Sequence, residues 1–330
     1  MDCPRRHWFL YERGLRPKRT PTAFLVGGAF HDAVSDYYAG VADEQVLARA
    51  GAVTAEANGV ASVGGEWHEA EEWETGEYQA AKLRGMLRAY ARTYSRDEFS
   101  DVLILEKRLA VPWVCGDEEW ILSGRFDGVV RDDLGESWLL EHKTTAAAPL
   151  GLVTNLRLDF QCNFYLHMAG LLAEAGELPR VSGVLYNVVV KPGIRPILVH
   201  EARWEEVFAT AESKAEAVET VLQRCSEADR RFVAVTKRRQ TPEEHEARVE
   251  RVMLEDPVAY FVRRRVTRSE RQQETFAAEL ASVLGAFRGN AGFPNFQSCE
   301  RCGFRVLCSA SPEDRPRLQE ELFEIAALQR

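Results

Sequence analysis

Asp127, Glu141 and Lys143 are charged residues in two stretches that otherwise read as paired strands, Ile121–Val130 and Trp138–Lys143. The polar turn Asp132-Asp133-Leu134-Gly135 separates them, so the pattern is that of a β-hairpin. Strand side chains alternate between faces, which puts Glu141 and Lys143 on one face and His142 on the other. If Asp127 faces the same way, two carboxylates and an ammonium converge. Oxygen donors at that range hold a hard divalent cation, Mg²⁺ or Mn²⁺, with positions left for water and a phosphate. A neighbouring lysine can orient the water and offset charge on a phosphoryl group, which is the chemistry of phosphodiester hydrolysis. A surface hairpin with a cross-strand ion pair is the plainer reading of the same residues.

A second chemical feature lies near the C-terminus. Cys299, Cys302 and Cys308 bring three thiols into ten residues, with Gly303 between them. A tetrahedral site needs a fourth ligand, and Cys3, followed by Pro4, is the candidate. Cys115, Cys162 and Cys225 fall in expected regular structure and read as small buried hydrophobes. Spacing alone serves Zn²⁺ and an iron–sulfur cluster equally. With Cys3 as ligand, the cluster would tie the two chain ends together.

The elements that must position these groups follow from periodicity. A helix is expected from about Ala23 to Tyr38, with Thr22 as cap and His31 just after Gly27-Gly28. A lone helical histidine is more often a packed core or surface residue than a ligand. A long helix is expected over Glu66–Tyr94. Strands are expected at Val102–Val111, Glu119–Val130, Ser137–Lys143, Val181–Val190 and Pro196–Glu201, with helices at Leu156–Ala175, Trp204–Cys225 and Pro242–Met253. Such alternation predicts an α/β fold with a central mixed sheet flanked by helices. Gln161 and Tyr165, four residues apart, share one helix face.

Length and composition fit a soluble globular chain of 330 residues with 45% hydrophobic content and no long apolar run. The N-terminus lacks the apolar core of a signal peptide, so the expectation is a cytoplasmic protein without a membrane span. A net charge of −9 argues against coating nucleic acid non-specifically but leaves room for a local basic groove. Residues 1–20 hold six Arg and Lys against two acids, whereas Glu66 to Glu77 is acidic and reads as a solvated face. Arg263, Arg264 and Arg265 follow Tyr260 and Phe261; such a run can track a phosphate backbone, or it can be a charged strand edge.

Taken together, the chain resembles the RecB-like branch of the PD-(D/E)XK nucleases in its iron–sulfur form. That form includes CRISPR-associated adaptation exonucleases, the AddB nuclease domain and phage exonucleases. His31 in Gly28-Ala29-Phe30-His31 is similar to the first-motif histidine, and Asp127 in Gly124-Arg125-Phe126-Asp127 to the second-motif aspartate. Glu141-His142-Lys143 is similar to the E-x-K motif, and Gln161 with Tyr165 to the Q-x-x-x-Y motif. Cys3, Cys299, Cys302 and Cys308 match the split set that binds [4Fe–4S]. The resemblance implies one restriction-endonuclease-like domain over 1–330, with its catalytic core at about 100–200 and segments 1–20 and 290–310 around the cluster. It implies His31, Asp127 and Glu141 as metal ligands with a backbone carbonyl from His142, Lys143 as orienter of water, and Gln161 and Tyr165 as DNA contacts. The implied activity is exonucleolytic hydrolysis from ends of single-stranded DNA, in repair, phage recombination or spacer acquisition, by a chain that can be a homo-oligomer. A non-cleaving DNA-end-binding or assembly subunit is the alternative. No Gly-x-x-x-x-Gly-Lys-Ser/Thr loop occurs, so no ATP hydrolysis is expected.

Overall fold

The computed structural model describes residues 3–18, 22–51, 60–63, 66–69, 76–146, 156, 159–204, 207–224, 233–289, 294–295, 299 and 302–326. Its helices are α1 (Thr22–Tyr38), α2 (Gly76–Thr93), α3 (Phe160–Glu174), α4 (Lys214–Leu222), α5 (Pro242–Glu255) and α6 (Glu270–Gly289), with shorter turns at both ends. Its main strands are β1 (Asp101–Cys115), β2 (Glu118–Arg131), β3 (Ser137–Thr145), β4 (Val181–Val190), β5 (Leu198–Trp204), β6 (Val207–Ala211), β7 (Ala234–Arg239) and β8 (Phe261–Val266). Among the described residues, no helix is long and apolar enough to cross a membrane.

The five-stranded sheet has the order β8-β4-β3-β2-β1. Only β3 and β4 run parallel, and α3 makes the crossover between them, as a parallel pair requires. Alternation along Trp138-Leu139-Leu140 feeds two cores. Trp138 and Leu140 pack with α1, α2 and α5, around Phe30, Met86, Tyr90 and Met253. Leu139 packs with α3 and α6, around Leu166, Met168, Leu172 and Phe276. Both faces of the sheet are thereby covered, which is why β4 is a nearly continuous apolar run. This is the mixed, helix-flanked α/β sheet expected, and it is compatible with a restriction-endonuclease-like fold.

The chain ends meet. Leu15–Pro17 pairs antiparallel with Phe323–Ile325. The rings of Phe9 and Phe323 stack on Phe304 at 5.2 and 5.0 Å, over buried Leu15 and Leu307.

Two helix expectations are corrected. Glu66–Glu69 is a strand paired with Val60–Val63, and α2 begins only at Gly76. The Gly64-Gly65 dipeptide between the two runs is the hairpin signal that a helical reading passes over. Within Trp204–Cys225, Val207–Ala211 is a strand paired with β5, and α4 starts after Ser213, whose hydroxyl accepts from Glu216 N at 3.1 Å. β-branched and aromatic residues fit the pleat there, and the serine cap resets the chain into helix. Cys225, and Glu71, Glu72 and Glu74 of the acidic stretch, lie outside the described residues.

Candidate active site

β2 and β3 pair only from Arg131↔Ser137 to Gly128↔Leu140. At the next pair of residues, Asp127 and Glu141, the strands part. The His142 backbone N–H donates to Asp127 Oδ2 at 2.7 Å, and that carboxylate stands where a strand partner's carbonyl would. α1 brings His31 Nδ1 to 3.3 Å from the same oxygen. Across the opening, Lys143 Nζ lies 2.8 Å from Glu141 Oε1, an ionic contact without hydrogen-bond alignment. The same ammonium donates to Gln161 Oε1 at 2.5 Å. Four elements thus supply one site, and Lys143 is far more open than its partner, with 30% of its side chain exposed against 3% for Glu141.

Gln161 is held at the start of α3, where Asp159 caps the helix by accepting from Cys162 N at 2.8 Å. One turn on, Tyr165 stays within hydrogen-bond reach of Gln161, and its ring lies 5.0 Å from that of Phe126. Gly124 makes this contact possible: a Cβ there would sit 2.6 Å from the Tyr165 ring.

Burial opposes charge on Asp127, yet the His31 hydrogen bond and charge, with the His142 N–H, hold its carboxyl below the usual range. Burial and the neighbouring Asp127 charge push Glu141 up to about 7. Burial works against the His31 proton, but Asp127 keeps that imidazole above its ordinary value. Lys143 behaves likewise: Glu141 outweighs desolvation and keeps the ammonium protonated. His142, buried on the opposite face against Tyr38 and Tyr90, is pushed down to about 3 by desolvation, so its ring is neutral. The two carboxylates therefore differ in character, one fixed as an anion and one poised near neutrality.

Glu106 of β1 escaped the sequence reading. Donor atoms of His31, Glu106 and Asp127 all lie within 4.8 Å of one another, a spacing that could hold a metal ion. Arg125, two residues before Asp127 and on its face, donates to Glu106 and also reaches Asp32 at 3.2 Å. The available signal was a lone carboxylate ending the apolar run Val102-Leu103-Ile104-Leu105. Hard oxygen and imidazole donors of this kind suit Mg²⁺ or Mn²⁺.

Cys3, Cys299, Cys302 and Cys308 line one cavity of about 260 Å³, with Arg5 and Arg6 in its wall. Cys3 Sγ accepts from Asn295 N at 3.2 Å, Cys299 Sγ donates to Asn295 O at 3.6 Å, and Cys308 Sγ accepts from Arg5 Nη1 at 3.7 Å. Four unbridged thiols around one space, with cations beside them, fit a thiolate-bound metal group. Cys162 is buried beneath Glu141, and burial raises its thiol, in keeping with a packing role.

The strand divides the arginine run. β8 is the sheet edge, and Arg263 turns inward. It pairs with Glu98, donates to Asn187 Oδ1, and lies 3.8 Å over the Tyr94 ring. Arg265 pairs with Asp132 at 2.9 Å across the Trp138 ring. Two of the three guanidinium groups, those of Arg263 and Arg265, are therefore held by carboxylates of this chain, and Arg264, exposed like Arg265, donates to the Arg263 carbonyl at 2.9 Å. Alternation on the strand, invisible in a run of identical residues, divides them this way.

No curated protein matches the chain. The profile of the PD-(D/E)XK nuclease superfamily matches residues 1–309, a span that contains all four elements of the site and the four clustered cysteines. Nucleases of this kind use divalent metals, in keeping with the carboxylate and histidine donors that meet where β2 and β3 part. The chain belongs to the PD-(D/E)XK nuclease superfamily.

Proposed function

We propose that the chain is a metal-dependent DNA exonuclease of the RecB-like, iron–sulfur type, acting on ends of single-stranded DNA. The observation that carries this reading is the meeting of His31, Asp127, Glu141 and Lys143 at one strand opening, with the lysine tethered to Gln161. His31, Asp127, Glu141 and the His142 carbonyl would hold Mg²⁺ or Mn²⁺. Bound there, the cation would polarise the scissile phosphate and lower the pKa of a water. Lys143, kept protonated by Glu141, orients that water and meets the charge that builds on the phosphoryl group. Gln161 fixes the lysine's position, and Tyr165 offers a ring and hydroxyl to the DNA strand.

Cys3, Cys299, Cys302 and Cys308 would hold a [4Fe–4S] cluster, whose part is to staple chain ends that already share a strand pair and a small core. End preference, single-strand preference, a homo-oligomeric state and a role in repair, phage recombination or spacer acquisition rest on the resemblance, and a cytoplasmic setting on the character of the N-terminal residues.

The test is digestion of end-labelled linear and circular DNA, single- and double-stranded, with Mg²⁺ or Mn²⁺, by anaerobically purified protein. Cleavage of linear single strands that Asp127→Ala and Lys143→Ala both abolish is expected. A brown, folded wild-type protein that binds DNA without cutting it would overturn the nuclease reading in favour of an end-binding subunit.

A further inference from the structure

Glu106 sits in an arrangement that is costly without a cation. The register places Leu105 opposite Gly128 and Lys107 opposite Phe126, so Glu106 lies directly across from Asp127. Like charges at facing strand positions repel. The residue has φ +44, and it is the one non-glycine in the left-handed region among the described residues. Side chains other than glycine rarely enter that region, and such strain concentrates at functional sites. Arg125 engages Oε2 of Glu106, while Oε1 is buried with no hydrogen-bond partner. On the other side of Asp127, Glu141, itself only 3% exposed, has Lys143 Nζ 2.8 Å from Oε1 but leaves Oε2 buried without a hydrogen-bond partner. Repulsion, an orphaned buried oxygen and a strained backbone thus coincide within reach of His31.

We infer that Glu106 is a ligand of the divalent cation held with His31 and Asp127, and that Arg125 positions its carboxylate by holding the second oxygen. The inference rests on the nuclease reading and adds to it a donor from a fourth strand position, the edge strand β1. A purely structural Arg125–Glu106 pair would explain the salt bridge. It would not explain an anion set opposite Asp127 with its free oxygen buried.

The test is Mn²⁺ binding to the full chain without DNA, by calorimetry and by the electron paramagnetic resonance of free Mn²⁺. Wild type, Asp127→Asn, Glu106→Gln and Arg125→Gln are compared, with circular dichroism as the check on folding. Glu106→Gln keeps an acceptor for Arg125 but removes the anionic donor. It is expected to raise the Mn²⁺ dissociation constant at least tenfold, on the order of 10–100-fold. Arg125→Gln keeps the carboxylate and is expected to bind Mn²⁺ more tightly than Glu106→Gln. If Glu106→Gln does not fold, Glu106→Gly, which accepts the left-handed backbone, replaces it. Wild-type affinity in a folded Glu106 variant, with binding lost in Asp127→Asn, would overturn this inference and leave the nuclease reading standing. Absence of Mn²⁺ binding in wild type would remove both.

Discussion

His142, two residues past the last β2–β3 pair, donates its backbone N–H to Oδ2 of Asp127, one residue past it, at 2.7 Å. A side-chain carboxylate thus replaces a backbone carbonyl in the ladder, and the strands separate without leaving that N–H unpaired. The separation makes room between the two strands for Glu141, Lys143 and whatever they hold. The same bond fixes Asp127, because its carboxylate cannot turn away without orphaning a buried donor.

Lys143 acts on charge that develops during reaction. Lys143→Ala is expected to lower kcat by about 100- to 1,000-fold, the range seen when a transition-state donor is removed. DNA affinity should change by less than about threefold, since an interaction made only in the transition state contributes little to ground-state binding. Single-turnover kinetics beside equilibrium DNA binding checks this. Equal losses in both would assign Lys143 to binding. Gln161→Leu, which frees the ammonium, should give a smaller loss of kcat in the same direction.

Glu141 gives the site a pH dependence of known sign. Burial and the Asp127 charge push it up to about 7 in the fold, above the ordinary glutamate value of 4.5. The metal-free fold therefore binds that proton more tightly than the unfolded chain does. The stabilisation is complete below about pH 4.5 and is lost as pH rises through about 7. His142, pushed down to about 3 from 6.5, works in the opposite direction: its contribution is present above 6.5 and lost as pH falls toward 3. Subtracting the melting profile of Glu141→Gln from that of wild type, both in chelator, isolates the first effect. The difference should move against wild type between pH 5 and 8. Cation binding needs the ionised carboxylate, so Mn²⁺ affinity of wild type should rise over the same interval.

Arg263 and Arg264 should part company on substitution. Arg263→Ala leaves the half-buried Glu98 carboxylate without its cation, with only the Tyr38 hydroxyl donating to it, and strips Asn187 of a donor beside the His142 ring. Breaking a buried pair in this way costs about 3–5 kcal/mol, and partial exposure of both side chains puts the expectation nearer 2–3 kcal/mol. Arg264→Ala, at an exposed position, should stay within about 0.5 kcal/mol. Urea denaturation measures both. A stable Arg263→Ala with weakened DNA binding would return that residue to the nucleic-acid surface.

The cysteine cavity predicts colour and coupling between the ends. Protein purified without air should be brown with broad visible absorption. Cys302→Ser should bleach it and increase proteolysis at residues 3–18 and 302–326, which share one small core. A colourless wild type holding one zinc would assign the thiols to Zn²⁺ instead. Cys162→Ala, distant in role, should leave the spectrum unchanged.

Much of the site could be read from the sequence. The E-x-K spacing of Glu141 and Lys143, the i,i+4 spacing of Gln161 and Tyr165, and the clustered thiols are local patterns, because strand and helix periods fix which side chains share a face. The alternation of apolar and polar runs likewise determined the α/β class and most strands of the central sheet. Other features depended on contacts distant in sequence. Glu106 joins the site because a register between β1 and β2 sets it opposite Asp127, and no local pattern encodes that register. Arg263 and Arg264 are neighbours of the same type, and only the packing of β8 against β4 and Glu98 sends one inward and the other to solvent. The strand at Glu66–Glu69, by contrast, pairs with Val60–Val63 only two residues before it, a local hairpin that a helical reading of the acidic stretch passes over. The sequence alone determined which groups could do chemistry. Tertiary structure decided which of them meet, because convergence is set by strand register and helix docking rather than by neighbours along the chain.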